Sequence, residues 1–149
     1  MSLAALQQAL GELFTSAGAR TCYARAPETF AARFELSDAE RDQLRALCAT
    51  AVASYAATLA RKRRSEAARL LPATRAALGS AFDATFEAWA LRAPAPRGRR
   101  RQSNDAARFC RYLLGARAAL PGEARIAAIF DLAAAYALPV RPWHNRSSQ

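Results

Sequence analysis

Apolar residues recur three or four positions apart along most of the chain, and alternation with period two is nowhere sustained. Leu3, Leu6, Leu10, Leu13 and Phe14 put one apolar face on a helix from Ser2 to about Ala17, with Ser2 placed to cap it. Ser16 and Gly18 end that helix, and Thr21 to Ala26 reads as a connector holding Cys22 and Tyr23. Pro27 suits the first position of a short helix bearing Phe30 and Phe34. Ser37-Asp38-Ala39-Glu40 spells a capping box and opens a helix with Leu44 and Leu47. The pattern is compatible with that helix running on past Cys48 or breaking near Thr50. In the long central helix Val52, Ala56, Leu59, Ala67 and Leu70 share a face. Pro72 breaks or restarts it. Gly79-Ser80 reads as a stop and a fresh cap before Phe82, Phe86 and Trp89. Ser103, Asn104 and Asp105 start a helix with Phe109, Leu113 and Leu114 on its apolar side. After a turn at Pro121-Gly122, the last helix runs from Glu123 to about Leu138 and carries Ile126, Phe130 and Leu132.

These spacings predict an all-α fold, a compact bundle of about six to seven helices. The 149 residues are expected to form one helical domain over 1–138, with an exposed basic loop near 93–102 and a C-terminal tail over 139–149. A hydrophobic content of 52% suits a packed core, and the dominance of Ala and Leu favours helix. No apolar run is long enough to span a membrane, and the N-terminus lacks the basic-then-apolar pattern of a signal peptide. A cytoplasmic location is expected.

Charge changes the picture by its position. The net charge is +10. Arg61, Lys62, Arg63 and Arg64 form one island, and Arg97, Arg99, Arg100 and Arg101 form a second inside a Pro-containing segment, Ala93 to Arg101. Elsewhere the charges nearly balance. Two such islands imply an anionic partner, whether acidic peptide, acidic protein or nucleic acid, and these eight residues are the candidate partner-binding set. Arg63 stands apart, because it lands in the middle of the central helix's apolar face, with Lys62 on the flank and Arg61 and Arg64 pointing away. Its aliphatic stem can snorkel, its head can grip a partner's carboxylate, or it can pair internally with Asp83, Asp105 or Asp131. An internal pair is favoured, since an unpaired charge so near a core is costly.

Candidate chemistry is sparse. Cys22, Cys48 and Cys110 are widely spaced, with no CxxC pair, and His144 is the lone histidine. Their spacings match no zinc motif. Cys48 and Cys110 read as small core residues within apolar helices. No Ser/His/Asp arrangement, P-loop, GxGxxG or EF-hand loop is present. The expectation is a non-enzymatic binding module with no cofactor and no metal.

Leu59-x-x-Lys62-Arg63, Ala67, Leu71-Pro72-x-Thr74 and Leu78-Gly79-x-x-Phe82-x-x-x-Phe86 together resemble the helical domain of partner proteins of multinuclear non-heme iron oxidases, which modify ribosomally made peptides. The methanobactin-biosynthesis partner subunit belongs to that group. Phe30 to Leu44 and the later Asp105, Phe109 and Leu113 extend the resemblance to roughly residues 27–138. It implies a non-catalytic accessory subunit, part of a hetero-oligomer, that docks on an iron-dependent oxidase and helps recruit the precursor's leader peptide. The iron and its ligands would belong to the oxidase. Longer members carry a strand-rich C-terminal portion that grips the leader as an added strand. Here there is room for at most one short strand, around Pro139 to Trp143. Two other readings compete. A small basic helical nucleic-acid-binding protein would use the same two islands, although no helix-turn-helix pattern is evident. A helical chaperone or secretion accessory would expose a large apolar groove.

Overall fold

The computed structural model describes residues 3–115 and 120–137. Within them nine α-helices follow one another with no strand: α1 (Leu3–Thr15), α2 (Ala17–Arg25), α3 (Pro27–Ala31), α4 (Asp38–Arg45), α5 (Ala49–Leu70), α6 (Pro72–Leu78), α7 (Ala81–Ala90), α8 (Arg101–Gly115) and α9 (Gly122–Ala137). The fold is all-α, as the periodicity predicts. The helix count exceeds the expected six to seven, and α2 is one reason: the supposed connector over 21–26 is largely helical. Ser16 does not merely end α1. Its side chain accepts from the Ala19 N–H at 3.2 Å and caps a new helix immediately. The cap expected at Ser2 and the short strand expected near 139–143 lie outside the described residues, as does the 139–149 tail.

Local punctuation sets the other boundaries. Pro27 and Pro72 occupy the first turns of α3 and α6, where a missing N–H costs nothing. The Ser37–Glu40 capping box is formed in both directions, and the two backbone and side-chain hydrogen bonds at Ser37 hold the Glu40 carboxyl below its usual range. The chain breaks at Ala46–Cys48, so α4 and α5 are separate helices. Gly79 takes φ +57°, a left-handed conformation that suits glycine, and α6 stops there. Ser80 follows as expected, but its side chain makes no capping hydrogen bond.

Helix α5 is the element shared by two apolar cores. Its 22 residues span about 33 Å. At its N-terminal end Val52 joins Leu13, Tyr23, Phe30, Phe34 and Leu44 from α1 to α4 and the turn after α3. At its C-terminal end Ala60 and Ala67 join Leu71 and the rings of α7 and α8. Phe86 lies 4.7 Å and Trp89 5.3 Å from Phe109, centroid to centroid, and Phe82 meets the same ring edge-on at 5.9 Å. Such contacts each add roughly 0.5–1.5 kcal/mol beyond simple burial. The aromatics of α7 are core.

The large apolar residues of the last helix divide: Leu132 packs against the core, but others face outward. Ala124, Ala128 and Asp131 are its buried residues, while Ile126 and Phe130 are exposed. The small residues let α9 lie close against α8 and α6. Asp131 accepts from the Thr74 N–H at 2.7 Å, so a carboxylate from α9 caps the N-terminus of α6.

Candidate functional site

The site is built at the C-terminal end of α7, where helix carbonyls lack intrahelical partners. Two arginines from different helices supply them. Arg20 of α2 donates to Leu91 O at 2.5 Å and to Leu13 O at 3.0 Å. Arg63 of α5 donates through one terminal nitrogen to Ala90 O and Ala93 O, both at 2.9 Å. Cations at this end also oppose the negative pole of the helix dipole. Together they fix the point from which the segment over 93–100 departs.

Arg63 is also paired. Its Nε and remaining terminal nitrogen donate to the two Asp105 carboxylate oxygens at 2.8 and 2.7 Å, a bidentate fork. The Arg63 side chain is 13% exposed and that of Asp105 is 7%. The guanidinium carbon also sits 5.4 Å from the Trp89 ring centroid. With four of its five N–H groups engaged, Arg63 is a structural clamp joining α5, α7 and α8. Among the three carboxylates open to it, Asp105 is the partner. Asp131 caps α6, and Asp83 faces Arg64.

Arg64 turns toward α7, donating to Glu87 at 2.6 Å with Asp83 at 3.3 Å. Its charge is neutralised within the fold. Arg61 is exposed and donates to the Thr58 hydroxyl at 3.0 Å. Lys62, Arg97, Arg99, Arg100 and Arg101 are exposed and make no ion pair among the described residues.

Part of each island reaches one groove: Lys62 and Arg63 from the first and Arg101 from the second line it, whereas Arg61, Arg64, Arg97, Arg99 and Arg100 do not. The groove holds about 200 Å³ of open space, with Lys62 and Arg63 from α5 on one side and Arg101 with Gln102 of α8 on the other. Ala95 and Pro96 complete that wall, and Phe14, Ala56, Leu59 and Ala60 give an apolar floor. The Phe14 ring is itself braced by Tyr55 at 4.4 Å. Glu66 and Asp105 are the acids on the lining, and Asp105 is already paired with Arg63. α8 has no acid in its first turn, so its positive pole adds to the field of Arg97, Arg99, Arg100 and Arg101. Such a groove can accept an apolar side chain next to a carboxylate, or an anionic backbone.

The cysteines divide. Cys110 is fully buried, and burial pushes its thiol up to about 11. Cys48 is exposed, correcting its expected place in the core. It precedes α5 in an extended conformation, and the Ala51 and Thr50 N–H groups pull its thiol below the usual value. Cys22 is half-buried. Among the described residues no three His, Cys, Asp or Glu side chains are grouped to hold a metal ion, and no helix is long and apolar enough to cross a membrane. His144 lies outside the described residues.

Residues 45–115 match the family model of the SCO6045-like, C-terminal domain. The matched segment runs from the end of α4 through α8 and so contains the Arg63–Asp105 clamp and both basic islands. No curated protein and no solved structure matches the chain.

Proposed function

We propose that this chain is a non-catalytic accessory subunit that docks on a multinuclear non-heme iron oxidase and helps recruit that enzyme's ribosomally made precursor peptide. One observation supports the recruiting half of the reading: Lys62 and Arg101, from basic islands far apart in sequence, line one groove with an apolar floor. A leader segment with an apolar side chain beside a carboxylate fits that combination, the side chain entering between Phe14, Leu59 and Pro96 and the carboxylate meeting Lys62 or Arg101. The resemblance of the α5-to-α7 sequence to oxidase partner proteins supplies the other half. The Arg63–Asp105 clamp serves both, since it holds α5 and α8 at the separation that makes the groove.

The same exposed arginines favour nucleic acid as the competing partner. The two readings separate in a direct titration. The chain is mixed with a purified multinuclear non-heme iron oxidase and that enzyme's precursor peptide, and each binary and ternary association is followed by calorimetry. A stoichiometric complex with the oxidase, and peptide binding weakened by Lys62→Ser with Arg101→Ser, are the expected results. Failure to bind either protein, with tight binding to duplex DNA, would replace this reading by the nucleic-acid one.

A further inference from the structure

Much of helix α9 is amphipathic in an inverted sense: Ala124 and Ala128 face the protein with Leu132 beside them, and four large apolar side chains face out. Ile126, Ile129, Phe130 and Tyr136 are 69%, 56%, 67% and 62% exposed, and their spacing of three, one and six residues groups them along the outer side of the helix. Scattered exposed apolar residues are ordinary, but four large ones within three turns form a patch that marks an interaction surface. Had this helix been meant only to finish the core, Ile126 and Phe130 would occupy the positions held by Ala124 and Ala128.

The charges beside the patch say what covers it. The Arg111 guanidinium of α8 lies 5.4 Å from the Tyr136 ring centroid, and Arg125 is exposed on α9 itself. Neither makes an ion pair among the described residues. Glu123, exposed three residues before Ile126, is the one exposed acid of α9 on this face, so the described rim holds two arginines and one glutamate; Asp131 is buried against α6. A second copy of this chain would set two rims of net positive charge, and two chains of net charge +10, against each other. We infer that the outer face of α9 docks a different, folded protein whose apolar patch is edged by carboxylates. On the reading proposed above, on which this inference rests, that protein is the oxidase. The chain then works with two faces: the groove between α5 and α8 takes peptide, and α9 takes the enzyme.

The test uses the full chain and the purified oxidase. Ile126→Ser with Phe130→Ser removes the centre of the patch, and Arg111→Glu with Arg125→Glu reverses its rim. Because all four side chains are exposed, both variants should melt with the parent protein. The first should lose at least about tenfold in oxidase affinity, as central apolar contacts do at interfaces. The second should weaken binding most at low salt, and neither should alter peptide binding at the groove. Undiminished oxidase binding by the Ser variant overturns the α9 assignment while leaving the accessory-subunit reading intact. No binding by the parent chain defeats both together. Reversible dimerisation of the parent chain in sedimentation equilibrium, abolished by the Ser pair, overturns the inference in favour of a second copy.

Discussion

Replacing Arg63 by Met keeps an apolar stem about as long as the Arg side chain up to Nε but removes everything its head does. Asp105 is left 7% exposed at its side chain with no counter-charge, and Ala90 O and Ala93 O lose their donor. Removing one partner of a buried ion pair typically costs about 3–5 kcal/mol, because the remaining charge stays desolvated. At about 2–4 °C per kcal/mol for a chain of this size, the melting temperature should fall by roughly 6–20 °C. Urea denaturation and a thermal melt followed by circular dichroism measure this directly. Arg63→Lys should fall between the two proteins, since a point ammonium cannot reproduce the fork and reach two carbonyls as well. Arg63→Met combined with Asp105→Leu should recover much of the loss, because an apolar pair of similar volume carries no stranded charge. A single Met variant that melts with the parent protein, a change under about 0.5 kcal/mol, would place Arg63 among ordinary surface charges and refute the clamp.

Replacing Arg97, Arg99, Arg100 and Arg101 by Ser should leave the melting temperature nearly unchanged, since exposed charges contribute about 0–1 kcal/mol, while binding to an acidic peptide weakens and loses part of its salt dependence. In a thiol-reagent time course Cys48 should react first and Cys110 only on unfolding; a Cys48→Ser variant that keeps the fast phase would contradict the assignment. The Cys110 thiol has its folded value raised to about 11 from 9.0, so its contribution is complete below pH 9 and is lost as pH rises through 11. Stability should therefore fall more steeply over that interval in the parent protein than in Cys110→Ala, and equal slopes would show that the buried thiol carries no such linkage. The purified chain should hold no stoichiometric metal after dialysis against chelator, as metal analysis can check; iron or zinc retained in a one-to-one ratio would send attention back to the cysteines.

The helix boundaries marked by prolines, the capping box and Gly79 were legible through local chemistry, whereas α2 and the start of α8 at Arg101, inside the expected basic loop, were not. Arg63 was legible too: a cation on an apolar stripe announces a hidden partner, and Asp105 was among the carboxylates within its reach. Choosing Asp105 required the packing of α8 against α5, which no local pattern encodes. Arg20 gave no sequence signal, for it sits on a helix of weak amphipathicity and acts on a carbonyl 71 residues away. Residues of one class also diverged by environment. Arg64 neighbours Arg63 yet serves α7, while Lys62 and Arg101 face the same groove. The buried face of α9 was not legible, for a physical reason. Periodicity locates an apolar face but not what lies against it, and here alanines give the closer helix packing.

The central claim is that the groove between α5 and α8 selects a peptide rather than a nucleic acid. It is tested most directly by competition fluorescence anisotropy, with a labelled precursor peptide bound to the chain and unlabelled random-sequence duplex DNA as competitor at physiological salt. The account predicts that peptide is retained against excess DNA, and that Leu59→Ser on the apolar floor weakens peptide but not DNA. Displacement of the peptide by equimolar DNA, with the floor variant indifferent for both ligands, would contradict it.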